Sequence, residues 1–83
     1  MDLEQIKQLL NDSLDLSDIQ VKAEGSHLEI VAVSESFAGQ RSLKRQQAIY
    51  APLMDMIADG TIHAVAIKAF TEEEYRKHKL LNF

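Results

Sequence analysis

His27-Leu-Glu-Ile-Val-Ala-Val-Ser34 is polar and apolar by turns as far as Glu29 and apolar on both faces beyond it. A short apolar run of this kind, bounded by turn residues, reads as a strand. Immediately before it stands Gly25-Ser26. Before that, Ile19, Val21 and Ala23 alternate with Gln20, Lys22 and Glu24, the pattern of a strand over 19–24 with one wet face. Two runs this close, joined by a glycine turn, form an antiparallel hairpin. Downstream, residues 35–42 are polar with one glycine and read as a loop. Leu43 to Ala58 carries Leu43, Ile49, Leu53, Met56 and Ile57 on or near one helical face. Pro52 lies inside that helix, removes a donor and clashes with the preceding turn, so a kink or break is expected near Ala48–Ala51. Gly60 is a helix stop, and Ile62 to Ala69 reads as a third strand.

The second strand, the long helix and the third strand make a βαβ crossover, whose right-handedness places strands two and three parallel in one sheet. At the ends of the chain, Leu3, Ile6, Leu10 and Leu14, with Leu9 beside them, mark an amphipathic helix over 2–14 with an acidic start that suits the helix dipole. Thr71-Glu-Glu-Glu74 is a capping box opening a last helix towards Lys79, after which Leu80, Leu81 and Phe83 are expected to fold back onto the body. The order α-β-β-α-β-α predicts an α+β fold, a three-stranded mixed sheet with helices packed on it. Because His27 opens strand two and His63 nearly opens strand three, adjacency of these strands would bring both imidazoles to the same end of the sheet.

The chain has 83 residues, 46% hydrophobic and 27% charged, the balance of one small folded domain spanning 1–83. It contains no cysteine. A cysteine nucleophile, a CxxC redox pair, a cysteine zinc knuckle and a self-sufficient thiolate iron–sulfur site are therefore excluded. The net charge of −4 is unevenly placed: −6 over residues 1–36, +3 over 37–54 from Arg41, Lys44 and Arg45, and −1 over 55–83. An acidic chain does not in general attract nucleic acid, yet this one has a basic island. No apolar run reaches the roughly 20 residues of a membrane span, and the acidic amphipathic N-terminus does not have the form of a secretion signal. The expected location is cytoplasmic.

Several motifs together resemble the BolA family. Phe37-Ala-Gly39 is followed by Arg45 six positions after the glycine and by Ile49-Tyr50. Ile62-His63-Ala64-Val65-Ala66-Ile67 and Thr71 follow in turn. The corresponding family pattern is F-x-G-x5-R, a helix, a strand of the form hydrophobe-His-Ala, and a Thr-initiated helix. The similarity covers essentially the whole chain. The short length and the segment Lys44-Arg-Gln-Gln-Ala-Ile-Tyr-Ala-Pro-Leu53 look most like the IbaG branch of bacterial BolA-like proteins.

The resemblance implies a class II KH-like fold and partnership with a monothiol glutaredoxin, in complexes that share a [2Fe-2S] cluster. It implies His63 as a cluster ligand. The second ligand in the family comes from the loop joining the first two strands, where His27 is the candidate here. That loop is short, only Gly25-Ser26 before His27, and Gln46 stands where many members carry a histidine. By residue type alone, a lone histidine beside an apolar strand is more often structural than ligating; for His63 the resemblance reverses that reading. His27 reads equally as a turn residue facing water. His78, among Arg76, Lys77 and Lys79, reads as a solvated helix residue near the last carbonyls.

Two histidines cannot complete the four protein-side ligands of a [2Fe-2S] centre. The missing sulfur is expected from a glutaredoxin cysteine and a glutathione thiol, so the isolated chain should hold no cluster. Arg41, Lys44 and Arg45 have three readings: a solvated face, a dock for an acidic or glutathione-bearing partner, or a weak nucleic-acid contact. KH modules clamp a backbone through a glycine loop at a helix start, but the GxxG tetrad is absent, and three bases on a −4 chain give weak, salt-sensitive binding. Phe37 reads as core more than as a partner anchor, and Tyr50 as a buried ring with its hydroxyl outward.

Enzymatic readings find little support. The serines have no nucleophile-elbow context, Glu72–Glu74 is a helix start, and a domain this small has little volume for a closed site. The sequence thus points to a non-enzymatic adaptor in cluster delivery or iron sensing. The alternative is a KH-like nucleic-acid-binding transcriptional regulator, and a third reading is a stress-response protein acting by contact without metal.

Overall fold

The structure, a computed structural model, describes residues 2–81. Asp2 caps the first helix, α1 (Leu3–Ser13), its carboxylate accepting from the amides of Glu4 and Gln5 at 3.1 and 3.2 Å. The carboxylate thereby satisfies donors that the first turn leaves orphaned. Ile6 and Leu10 are the buried positions of α1, with Leu3, Leu9 and Leu14 packed beside them. Strand β1 (Asp18–Glu24) pairs antiparallel with β2 (His27–Val33) across the Gly25-Ser26 turn. Gly25 sits at φ 62°, which this tight connection needs.

After β2 comes a short 3-10 turn, Glu35–Phe37, where the sequence pattern predicted loop. Its cause is Ser34, whose side chain accepts from the Ser36 amide and donates to the Asp15 carbonyl at 2.5 Å. The turn drives Phe37 into the core as the largest fully buried side chain. Helix α2 (Ser42–Tyr50) gives way to a 3-10 turn over Ala51–Leu53 and then to α3 (Met54–Ala58). The break follows from Pro52, which cannot donate to the preceding turn. The chain then reverses at Gly60, at φ 84°. Gly60→Ala is therefore expected to cost about 1 kcal/mol through left-handed backbone strain, read as a lower urea midpoint at unchanged slope.

Strand β3 (Ala64–Phe70) begins two residues later than the alternation of Ile62 onwards suggested. Ile62 is instead a buried anchor whose amide donates to Met56 O at 3.1 Å. β3 runs parallel to β2, with His27 opposite Ala64 and Val33 opposite Phe70, and the sheet order is β1-β2-β3. Among the described residues this is an α+β fold on a three-stranded mixed sheet.

The core lies on one face of the sheet. Val21, Leu28, Ile30 and Ala32 meet Ile6, Leu10, Phe37, Ile49, Leu53 and Ile62 there. Each large aliphatic side chain fully buried in this way contributes about 1.5–3 kcal/mol. The other face carries the row Gln20, Val31, Lys68 and is crossed by α4 (Glu72–Leu81). The capping box forms as expected: Glu74 N donates to Thr71 Oγ1 at 3.2 Å and Thr71 N donates to Glu74 Oε1 at 2.9 Å. Gln20 Nε2 donates to the Tyr75 hydroxyl at 2.6 Å, and Phe70 packs its ring near Tyr75 and His78.

Three expectations change. Leu43 is 67% exposed, because it lies in the first turn of α2 on the side away from the sheet. Leu80 and Leu81 are 68% and 84% exposed and do not fold back, since α4 stays helical through Leu81; Phe83 lies outside the described residues. Tyr50 is half-buried with its hydroxyl turned to the Val65 carbonyl, at 3.5 Å, rather than outward. No helix among the described residues is long and apolar enough to cross a membrane.

Candidate functional site

His63 is held by its neighbours before its ring is considered. Ile62 is buried on one side of it and β3 begins on the other. Its amide donates to the Ser26 carbonyl at 2.9 Å, extending the β2–β3 register by one step into the hairpin turn. The lead-in is also fixed: Asp59 N donates to Asp55 O, Gly60 N to Ile57 O, and Thr61 N to Asp59 Oδ1 at 2.9 Å. Hydrogen bonds from the Thr61 side chain and amide keep the Asp59 carboxyl below the usual carboxylate range. On this base the His63 imidazole is exposed, with Nδ1 3.1 Å from Ser26 Oγ. Nε2 faces Gly60, where a Cβ would stand 3.8 Å away.

His27 is also exposed and opens β2 between Glu24 of β1 and Ala64 of β3. It is therefore at the same end of the sheet as His63, one register step away. It borders a shallow groove with Lys22, Glu24, Glu29 and Ala66, which His63 does not line. The two residues thus share an end of the sheet, with the His63 ring on Ser26 and His27 on a groove that His63 does not line. Among the described residues no group of three or more His, Asp or Glu could hold a metal ion, and the chain has no cysteine.

The basic island divides in two. Arg41 and Lys44 are exposed at the start of α2. Arg45 is engaged within the fold, its side chain only 13% exposed. Its Nε donates to Gln40 O at 3.1 Å, and Nη1 donates to Ala69 O at 3.2 Å. Nη1 and Nη2 reach the two Glu74 oxygens at 2.6 and 3.3 Å, while the guanidinium stands 6.0 Å from the centre of the Phe37 ring. Such a forked ion pair is geometrically specific. Donation from Arg45, and then from the Thr71 amide, holds the Glu74 carboxyl below its ordinary value. His78 is half-buried against Phe70, with ring centres 4.8 Å apart, rather than solvated.

Two residues that the sequence pattern left unremarked therefore matter at these sites. Ser26 read as a turn residue, but the parallel register sets it beside His63. Glu74 read as a cap alone, although it also receives Arg45 from α2.

The family model for BolA-like protein matches residues 5–74. The chain belongs to the BolA-like family. Among its BolA-like relatives, the acid stress protein IbaG of Escherichia coli (strain K12) is 43% identical over 82 residues, covering 99% of this chain and 98% of that protein. A shorter match joins it to the DNA-binding transcriptional regulator BolA of the same strain, 38% identical over 50 residues, covering 60% of this chain and 47% of that protein. In structure, this BolA-like chain is similar to mouse BolA1, with a TM-score of 0.81 at 25% identity, covering 95% of this chain and 72% of that one.

Proposed function

We propose that this BolA-like chain is a non-enzymatic adaptor that binds a monothiol glutaredoxin and co-ligates or receives a [2Fe-2S] cluster, with His63 supplying an imidazole nitrogen. The observation that carries the reading is an exposed imidazole on a hydrogen-bonded base in a chain without a thiol. One exposed histidine can complete a cluster only if sulfur arrives with a partner, here a glutaredoxin cysteine and a glutathione thiol. Imidazole in place of thiolate raises the cluster potential. It also ties ligation to protons, because the ring must be neutral to bind. Both properties suit a cluster that is passed on as cargo. His27, at the same end of the sheet, is the second candidate ligand. Arg41 and Lys44 are the exposed bases available to an acidic or glutathione-bearing surface.

The stress-response setting rests on the name of the IbaG relative. The name of the BolA regulator supports the alternative, DNA binding. Charge weighs against it here, because Arg45 is spent within the fold and the basic island is left with two exposed bases, Arg41 and Lys44, on a chain of net charge −4.

Mixing the protein with glutathione-loaded holo-glutaredoxin tests the proposal by visible circular dichroism. The expected result is a changed cluster spectrum that His63→Ala abolishes and His27→Ala weakens. A spectrum unaffected by adding the protein, or one indifferent to His63→Ala, would overturn it. Submicromolar DNA or RNA binding lost in Arg41→Glu with Lys44→Glu would favour the regulator instead.

A further inference from the structure

The contact between Ser26 and His63 bears on which ring nitrogen the protein presents. A histidine ligand offers one nitrogen, and the hydrogen bond made by the other nitrogen selects it. In His63, Nδ1 is the nitrogen with a protein neighbour, the Ser26 hydroxyl at 3.1 Å. Nε2 is on the side of Gly60, which has no Cβ to cover it and whose φ of 84° disfavours any residue that would. The backbone closes the same pair, His63 N to Ser26 O at 2.9 Å, which keeps the two main chains side by side at the step that leads into β3. No carboxylate forms an ion pair with His63 among the described residues. The orienting group is therefore a neutral hydroxyl, which aims the ring without adding charge to it.

Resting on the cluster-sharing reading above, we infer that Ser26 is a positioning residue. Its hydroxyl accepts the Nδ1 proton of His63, and the Nε2 lone pair, on the side of Gly60, is the one left for ligation. The opposite arrangement, with Ser26 donating to Nδ1, would occupy the Nδ1 lone pair and protonate Nε2, leaving the ring with no nitrogen to offer. The two arrangements place the same heavy atoms and hold the same number of protons; they differ in which ring nitrogen carries the proton and in how the serine hydroxyl is turned. The tautomer decides between them.

Long-range proton–nitrogen NMR on the intact ¹⁵N-labelled protein, at about pH 8 where an ordinary imidazole is neutral, reads that tautomer without any cluster. The expected result is His63 in the Nδ1–H form. Ser26→Ala should move it towards the Nε2–H form, and Ser26→Thr, which keeps a hydroxyl, should restore it. In the glutaredoxin mixture, Ser26→Ala should raise the protein concentration needed for the His63-dependent spectral change by about 10–100-fold, the range for affinity lost with an outer-shell partner, with Ser26→Thr again restoring it. Wild-type His63 in the Nε2–H form, or a tautomer unmoved by Ser26→Ala, would overturn the positioning role. A tautomer that responds as expected beside a cluster spectrum indifferent to His63→Ala would overturn the cluster-sharing reading and leave the serine's control of the ring standing. Unchanged amide shifts elsewhere in Ser26→Ala would show that the variant is folded.

Discussion

Phe37→Ala is expected to lower folding stability by about 3–5 kcal/mol, the range for removing a fully buried aromatic side chain. A chain of this size has roughly 4–12 kcal/mol in total, so the loss would remove a large share of its stability. The size of the effect follows from where Phe37 sits. It ends a one-turn 3-10 segment that Ser34 pins to Asp15, and it fills the centre between the sheet and α2. The segment has only a single turn with which to relax, so the cavity would stay open. Its ring also lies near the Arg45 guanidinium, and removal loosens the support of that group. Urea unfolding followed by far-UV circular dichroism measures the change. A loss under about 1 kcal/mol would mean that the core closes over the site and that Phe37 is not its centre.

The second large effect is expected for Arg45→Ala, about 2–3 kcal/mol, from hydrogen bonds to a charged group lost together. Arg45 fastens three segments at once: the loop at Gln40, the end of β3 at Ala69, and α4 at Glu74. Glu74 is itself half-exposed, so solvent screens part of the ion pair; the estimate rests more on the nearly buried guanidinium and the carbonyls it leaves without a donor. The contribution depends on pH with a definite sign. The Glu74 carboxyl is held below its ordinary value of 4.5 in the fold. Its stabilising effect is then complete above that value and is lost as pH falls through the lower, folded one. The gap in stability between wild type and Arg45→Ala should therefore be widest near neutrality and narrow in acid. A gap that is constant or widens on acidification would exclude the pair as its source. Lys44→Ala, an exposed neighbour one position away, should change stability by under about 0.5 kcal/mol and serves as the control.

Much of the architecture was legible because it rests on local periodicity. The alternation before Gly25, the run after it and the Pro52 interruption each impose one conformation on a few neighbouring residues. The resulting βαβ order gave the parallel direction of β2 and β3, whereas their adjacency and register, which bring His27 and His63 to one end of the sheet, are seen only in the structure. Features that depend on distant partners were not legible. Residues 35–37 have one apolar side chain among polar ones, too short for a periodic signal; the Ser34 cap that shapes them is visible only with Asp15 beside it. Ile62 passed for strand because an anchor and a strand residue are equally hydrophobic. The charge of Arg45 was plain, but its engagement with Glu74, 29 residues away, is a tertiary event. Leu80 and Leu81 are apolar enough to read as a folded-back end, yet α4 continues through them and leaves them exposed. At the candidate site, the two histidines could be read from the family pattern, whereas Ser26 gains its place only from the register between β2 and β3.

The same helix that carries the basic island also guards the flank of the sheet. Tyr50 addresses the Val65 carbonyl and Arg45 the Ala69 carbonyl, so two acceptors along the outer margin of β3 are already taken by side chains of α2. A foreign strand seeking to extend the sheet on that side would have to displace both. The molecule thus exposes the His63 imidazole at the mouth of β3 while two neighbouring backbone acceptors on that margin are withheld as a template for polymerisation.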